Sequence, residues 1–279
     1  MAARLLIVNA DDFGFTLGVN AGIVDAHKNG ILTATTLMAN GAAFDDAVRL
    51  AKETPSLDVG CHLVLIGGKS IAGDVDLPAS PAALVRAVIA GRIPIYGELL
   101  AQVRKIAAAG IDPTHLDTHK HTHLLPPVLN AVARISAETG IKWVRRPFDA
   151  KLNYHAPRKK RIVASALRLL RSRTDSVLRK HGCRSTDFFA GFQITGGFTA
   201  EDLVNLFAEL PEGSTEFMCH PGYLDEELHA APTRLRQSRA DELAALTAPE
   251  TRAALVRYGI RLVNYRSLTV AARLETGDR

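Results

Sequence analysis

Two adjacent carboxylates, Asp11 and Asp12, followed by Phe13-Gly14, are the sharpest chemical feature of the chain. Consecutive residues of an extended strand point to opposite sides, so both carboxylates reach one site only where the chain turns, and Phe13-Gly14 permits a turn. One can then bind a metal while its neighbour takes a proton; the plainer alternative is a polar turn with Asp12 capping the next helix. The second cluster is Thr114-His115-Leu116-Asp117-Thr118-His119-Lys120-His121-Thr122-His123. At a period of two, His115, Asp117, His119, His121 and His123 share one face of a continuing strand, a row of imidazoles that no apolar core accepts without partners. A polar cavity holding a cation is the natural host. Two imidazoles and one carboxylate leave coordination positions open for water and substrate and suit a borderline divalent metal, with Asp117 available to orient a ligand imidazole. His62 and His220 each follow a cysteine, Cys61 and Cys219. If the histidines point inward, the cysteines point outward against a helix layer as small buried hydrophobes.

Strand-like and helix-like segments alternate along the whole chain. Strands are expected over 4–10, 33–40, 58–65, 114–120, 141–146, 188–195, 215–220 and 261–265, and helices over 19–28, 44–52, 98–109, 127–139, 200–210 and 234–246. Eight βα units imply a mainly parallel sheet in a TIM-like (β/α) barrel, closed or nearly closed, and the absence of repeats or linkers makes 1–279 one domain. In such a barrel, catalytic groups stand at the C-terminal ends of strands. Asp11 and Asp12 end the first expected strand, His62 lies in the third, His119 ends the fourth, Arg145 ends the fifth and His220 ends the seventh. Each alone reads equally well as a cap or a satisfied core group, but five strand ends together favour one site.

Composition narrows the class. The 279 residues are 47% hydrophobic and 23% charged, as in an ordinary globular protein. Two carboxylates stand where a dinucleotide cradle places glycines, which argues against nucleotide binding, and no nucleic-acid partner is expected. Three cysteines without metal-type spacing give neither a disulfide framework nor a thiolate zinc site. The apolar run Leu5-Leu6-Ile7-Val8 is far shorter than a signal-peptide core, and no stretch reaches the roughly 20 apolar residues of a membrane span, so a cytoplasmic location is expected. The net charge of +5 is uneven: from Arg145 to Arg184 there are 13 Lys or Arg against Asp149 and Asp175, a local +11 that leaves −6 elsewhere. This block reads as a basic helical insertion near 151–184. Within it, Ile162, Val163, Ala166, Leu169, Leu170, Val177 and Leu178 recur at near-helical spacing between basic residues. Either the apolar stripe packs on the barrel, or it brings the protein to an anionic membrane surface.

Asn9-Ala10-Asp11-Asp12-Phe13-Gly14, Thr33-Ala34-Thr35-Thr36-Leu37-Met38, Val59-Gly60-Cys61-His62-Leu63, Thr114 to His119 and Glu216-Phe217-Met218-Cys219-His220-Pro221-Gly222 resemble, in order, the motifs of the YdjC-like carbohydrate deacetylases. That family includes chito-oligosaccharide deacetylases and hopanoid-biosynthesis-associated deacetylases, and the resemblance runs from Arg4 to about Leu268. It implies a TIM-like barrel that hydrolyses an acetamido group with one divalent metal, Mg2+ or Zn2+. By position, Asp12 resembles the metal carboxylate, His62 and His119 the metal imidazoles, Asp11 the general base, and His220 the histidine near the leaving amine. His123 is the alternative to His119 as ligand. Arg145-Arg146-Pro147-Phe148 is similar to the Arg-x-Pro segment of wider polysaccharide deacetylases, in which the arginine orients the base. The expected partners are an acetylated amino sugar, an anionic membrane at the basic block and a second copy of the chain. Two His and one carboxylate also describe a non-haem iron oxygenase, and a pocket without turnover describes a sugar-binding protein.

Overall fold

The structure is a computed structural model that describes residues 3–73, 75–150, 152 and 158–276, so the opening of the basic insertion lies partly outside the described residues. Eight strands form one parallel sheet: β1 (Arg4–Phe13), β2 (Ala34–Leu37), β3 (Asp58–Leu63), β4 (His115–Thr118), β5 (Trp143–Val144), β6 (Phe188–Ala190), β7 (Gly213–Cys219) and β8 (Ile260–Leu262). Their order is β5-β4-β3-β2-β1-β7-β6. One edge of β1 carries β7 from Arg4 to Ala10. Its other edge is shared, with β8 beside Arg4–Leu6 and β2 beginning at Asn9. The terminal strands β5 and β6 are joined by isolated bridges, Trp143 to Arg184 and Asp149 to Phe189, instead of a ladder. The architecture is therefore an imperfectly closed TIM-like barrel, as expected, with every expected strand present in shortened or extended form.

Period-two alternation sorts the strand residues. Leu6, Val8 and Ala10 of β1, Val59, Cys61 and Leu63 of β3, and Phe217 and Cys219 of β7 join the large apolar cluster that also takes in Val19 and Ile23, Val103 and Ile106, and Leu203 and Phe207 from the surrounding helices. The intervening residues form the barrel interior. At its N-terminal end Ile7, Ala34, Trp143 and Tyr265 make a small apolar plug. Above the plug the interior is polar: Asn9 and Asp11, His62, His115 and Asp117, Arg145 and Glu216 are all buried. Burial pushes the thiols of Cys61 and Cys219 up, so both stay neutral and serve as packing groups.

Local signals set the helix ends. Thr16 caps Leu17–Lys28 by accepting from Val19 N, and Thr199 with Asp202 forms a capping box on Ala200–Ala208. Pro126–Thr139 ends on Gly140 at φ 77°, the left-handed closure that glycine adopts without cost. Gly60 answers a different need, because a Cβ there would lie 2.5 Å from the His115 carbonyl oxygen and 2.6 Å from its ring. Helices Pro81–Ile89, Glu226–Ala230, Pro249–Arg257 and Tyr265–Thr276 add to those expected from periodicity. No helix among the described residues is long and apolar enough to cross a membrane.

Phe217 is fully buried beside β1, edge-to-face with Phe198 at 5.4 Å. Phe217→Ala is expected to lower unfolding stability by about 3–5 kcal/mol in urea titrations. Val256→Ala, at a position 83% exposed, is expected to stay within about 0.5 kcal/mol of the parent. Equal effects would contradict this placement of the core.

Candidate active site

The turn that lets two neighbouring aspartates serve one site begins on Asp12 itself and continues through Phe13-Gly14, where Gly14 stands at φ 93° and Phe15 N–H donates to the Asp12 carbonyl at 3.1 Å. Asp12 sits at φ 70°, inside an irregularity where the β1–β2 register shifts between Ala10 and Phe13. A non-glycine residue held there carries strain of roughly 1–3 kcal/mol, which surrounding contacts must offset. The two carboxylates thereby acquire different partners. Asp11 receives both ends of the Arg145 guanidinium, Nη2 to Oδ1 at 2.6 Å and Nη1 to Oδ2 at 2.7 Å, and Asn9 Nδ2 donates to Oδ1 at 3.1 Å. Asp12 receives Arg239 Nη2 on Oδ2 at 2.5 Å.

Arg145 follows β5 and keeps one more sheet bond, from its N–H to the Leu116 carbonyl. Its guanidinium meets three carboxylates, since Nη1 also lies 2.7 Å from Asp117 Oδ2 and Nε donates to Glu216 Oε1 at 2.6 Å. Asp117 accepts from Thr36 Oγ1 at 3.1 Å and from His62 Nδ1 at 2.7 Å. A neutral His62 that donates through Nδ1 leaves the Nε2 lone pair free on the other side of the ring. There, His62 Nε2, His119 Nδ1 and Asp12 Oδ1 converge: 3.3 Å from His62 to Asp12, 3.2 Å from His119 to Asp12, and 3.2 Å between the two nitrogens.

This convergence passes the test for a cation. Nitrogen and oxygen ligands about 2.0–2.2 Å from a divalent ion stand about 3.0–3.5 Å apart. Asp12 Oδ1 is buried with no hydrogen-bond partner of its own. Charge balance points the same way: among the described residues, Asp11, Asp12, Asp117 and Glu216 are ion-paired with the two arginines Arg145 and Arg239, a formal −2 for this group with neutral imidazoles. Burial pushes the His62 pKa down, but Asp117, Asp12 and Asp11 carry it up to about 10, the sign of a site in want of positive charge. The same cluster could be read with Asp11, His62 and Asp117 as a second metal-binding group, yet the Arg145 guanidinium already fills that side.

The other histidines separate from the row expected on one strand face. β4 stops at Thr118, and Lys120 and His121 adopt left-handed φ values of 54° and 52°, so the chain turns out of the sheet within the His119–Leu124 3-10 segment. His115 points inward but is structural: its Nε2 contacts Asn9 Oδ1 at 2.8 Å and its ring stacks on Tyr265 at 3.9 Å. His121 lies against Phe189 and Phe192. His123 is fully buried on Thr118 Oγ1 at 2.6 Å and lies outside the convergent set; burial and Arg145 lower it to about 3. His220 ends β7 with Nε2 3.9 Å from Asp11 Oδ2, and burial, only partly opposed by Asp11 and Asp12, lowers it to about 4. Its backbone N–H donates to Glu242 Oε2 at 2.6 Å, and Gly196 N–H donates to Oε1 at 2.7 Å, so one buried carboxylate holds the loops after β6 and β7. Burial raises that carboxyl to about 7.

Comparison with known proteins places the chain. A profile of the family described as YdjC-like protein matches residues 5–257. The chain belongs to the YdjC-like family. It is 36% identical over 272 residues to a carbohydrate deacetylase of Geobacillus stearothermophilus, covering 94% of this chain and 97% of the relative. It is 34% identical over 277 residues to a chitooligosaccharide deacetylase of Klebsiella pneumoniae strain 342, covering 95% and 99%. In fold it is similar to a crystal structure from Enterococcus faecalis V583 described as a candidate cellobiose-phosphate cleavage protein, with a TM-score of 0.73 at 23% identity over 96% of this chain and 99% of that one.

Two residues of this constellation, Glu216 and Arg239, escaped the reading of residue types. Glu216 has the same strand parity as His220, so the alternation that turns His220 inward carried the signal. Arg239 had none, since it lies on Gln237–Thr247, 227 positions from Asp12, where an arginine reads as a solvated helix residue.

Arg145→Met would leave Asp11, Asp117 and Glu216 buried without their shared cation, and is expected to cost about 3–5 kcal/mol of stability at neutral pH. Without the guanidinium, burial lifts the Asp11 carboxyl above its unfolded value and raises further the Glu216 carboxyl that burial already holds up, so the folded state binds more protons and its stability falls as pH rises. Urea titrations should therefore show a smaller deficit at mildly acidic than at mildly alkaline pH; the opposite trend would contradict the charge assignment.

Proposed function

We propose that this chain hydrolyses the N-acetyl group of an amino sugar, using one divalent cation held by Asp12, His62 and His119. The observation that carries the reading is the convergence of three ligand atoms beside an arginine-held carboxylate, Asp11, in a chain whose relatives are named carbohydrate and chitooligosaccharide deacetylases. Two imidazoles among the ligands favour zinc over magnesium. Such a cation supplies Lewis acidity to the amide carbonyl and to the attacking water.

The remaining work falls to the chain's own groups. Asp11 is the neighbouring carboxylate not committed to the cation; Arg145 and Asn9 fill its Oδ1, whereas Oδ2 accepts from Arg145 alone and keeps a second lone pair. Burial pushes its pKa up, but Arg145 outweighs burial and holds the carboxyl well below the usual range. It is thus ionised at neutral pH and takes the water proton only briefly. His220, neutral and 3.9 Å from Asp11 Oδ2, is placed to receive that proton and pass it to the amine nitrogen as the C–N bond breaks. Water supplies hydroxide to the acetyl carbon and a proton to nitrogen, and the products are acetate and the free amine. Arg145 orients Asp11, and Asp117 fixes the His62 ring. The substrates expected are a chito-oligosaccharide or an N-acetylglucosaminyl glycolipid such as a hopanoid conjugate.

Acetate release from a panel of N-acetylglucosamine oligomers and glycolipids, after chelation and with Zn2+ or Mg2+ added back, tests the reading. Activity that survives chelation, or no acetate from any member, would overturn it. Asp11→Asn is expected to keep one cation per chain by calorimetry while turnover falls about 10²- to 10⁴-fold, and His62→Ala is expected to lose the cation itself. Unchanged turnover in Asp11→Asn would remove that residue from the mechanism.

A further inference from the structure

The basic segment is turned inside out relative to its hydrophobicity. Helix Arg158–Leu167 runs through the 3-10 turn Arg168–Leu170 into helix Arg171–Lys180. Lys160, Ala164 and Arg168 recur every four residues, and theirs is the face applied to the barrel. Ala164 is buried, Lys160 Nζ donates to the Thr195 carbonyl at 2.5 Å and Arg168 Nη2 to the Asp149 carbonyl at 2.8 Å. Ile162, Val163 and Leu169 face away, 59%, 47% and 85% exposed. The second helix behaves conventionally, burying Thr174 and Leu178. Thr195 and Asp149 lie in the loops that follow β6 and β5, so the segment is moored at the C-terminal end of the barrel, the end that carries Asp12, His119 and His220.

Exposed bases surround the apolar residues: Arg158, Lys159, Arg161, Arg171 and Arg173. Arg168, Arg171 and Arg179 line a cleft of about 430 Å³ together with Ser172 and Asp175, whose carboxylate is paired with Arg146 and Arg171. Charge selects among possible occupants. A second copy would set one run of nine bases and one acid over 158–180, a local +8, against another. A nucleic acid would use the bases but gain nothing from Leu169 or Ile162. An anionic lipid surface uses both, hydrocarbon beneath and phosphates around. We propose that residues 158–170 dock on an anionic lipid surface, with Ile162, Val163 and Leu169 entering the acyl boundary and the flanking bases meeting phosphate headgroups.

Sedimentation with vesicles of phosphatidylglycerol mixed with phosphatidylcholine, and of phosphatidylcholine alone, at low and high salt tests this. The intact protein is expected to pellet with the anionic vesicles at low salt, less at high salt, and negligibly with neutral ones. The exposed triple variant Ile162→Ser, Val163→Ser, Leu169→Ser keeps every charge and is expected to bind anionic vesicles at least about tenfold more weakly, with unchanged circular dichroism. In a separate Leu169→Trp variant, tryptophan emission is expected to shift to the blue on anionic vesicles, against the constant background of buried Trp143. Equal binding by the serine variant, no blue shift, or no pelleting of the intact protein would overturn the proposal. So would a dimer in light scattering that the serine substitutions dissociate, which would assign the face to a second copy. A duplex oligonucleotide bound equally by both forms, with no vesicle binding, would overturn it in favour of nucleic acid.

Discussion

One guanidinium organises the barrel interior. Arg145 stands at the end of a two-residue strand and is shared by Asp11 of β1, Asp117 of β4 and Glu216 of β7. Three carboxylates taken from water would repel one another and return to their neutral forms; a planar cation with donors on three nitrogens lets them coexist. The geometry requires arginine, because a lysine ammonium offers a single point of charge where a two-pronged grip on Asp11 and a third bond from Nε are made at once. From this centre, order passes outward through named bonds. Arg145 fixes Asp117, Asp117 takes the Nδ1 proton of His62, and His62 presents Nε2 beside His119 and Asp12. Strand β5 is short, and after one further sheet bond, from the Arg145 N–H to the Leu116 carbonyl, the chain leaves the ladder.

The left-handed kink at Asp12 complements that arrangement. On a regular strand one of two neighbouring aspartates would face the helices and lie buried among hydrocarbon. The kink brings Asp12 round to Arg239, which arrives from a helix near the far end of the sequence and caps only one oxygen. The other oxygen is left buried and unpartnered in the direction of the two imidazoles. Strain, an uncompensated acceptor and a surplus of negative charge therefore meet within a few ångströms, and a single divalent ion relieves the last two. Asp11, one residue earlier, is saved from becoming a ligand because Arg145 holds both its oxygens.

What could be read from residue types alone follows from which effects are local. Strand alternation is local: Cys61 beside His62 and Cys219 beside His220 sorted correctly into packing and interior groups, and the same parity would have drawn in Glu216. Strand ends carrying Asp11, His62 and His220 emerged for the same reason. A turn after Asp11-Asp12 was expected from Phe13-Gly14, but the left-handed backbone of Asp12, Lys120 and His121 was not legible, because none of the three is a glycine. The expectation of a continuous face of histidines failed there, and His115, His121 and His123 went to three different surroundings. Arg239 was invisible since its partner lies at the opposite end of the chain, a pairing that only the closed barrel creates.

The basic segment shows the same competition with the opposite winner. Hydrophobic periodicity assigns Ile162, Val163 and Leu169 to the inner face, and burying three such side chains would ordinarily stabilise that choice by several kcal/mol, about 1.5–3 each. The surface on which the helix rests is instead formed by loops after β5 and β6, whose acceptors include the Asp149 and Thr195 carbonyls. Asp149 itself is engaged below, its carboxylate accepting from the Phe192 and Gln193 N–H groups. A rim of carbonyl oxygens is a poor bed for hydrocarbon and a good one for Lys160 and Arg168, whose long stems cover it while their heads make charge-assisted bonds. Once those two residues face inward, helical geometry turns the apolar stripe to the solvent side, and only in the second helix, where Leu178 meets the apolar cluster, does hydrophobicity recover control. The polar mouth that the barrel needs for its chemistry thus dictates which face of the neighbouring helix is left uncovered.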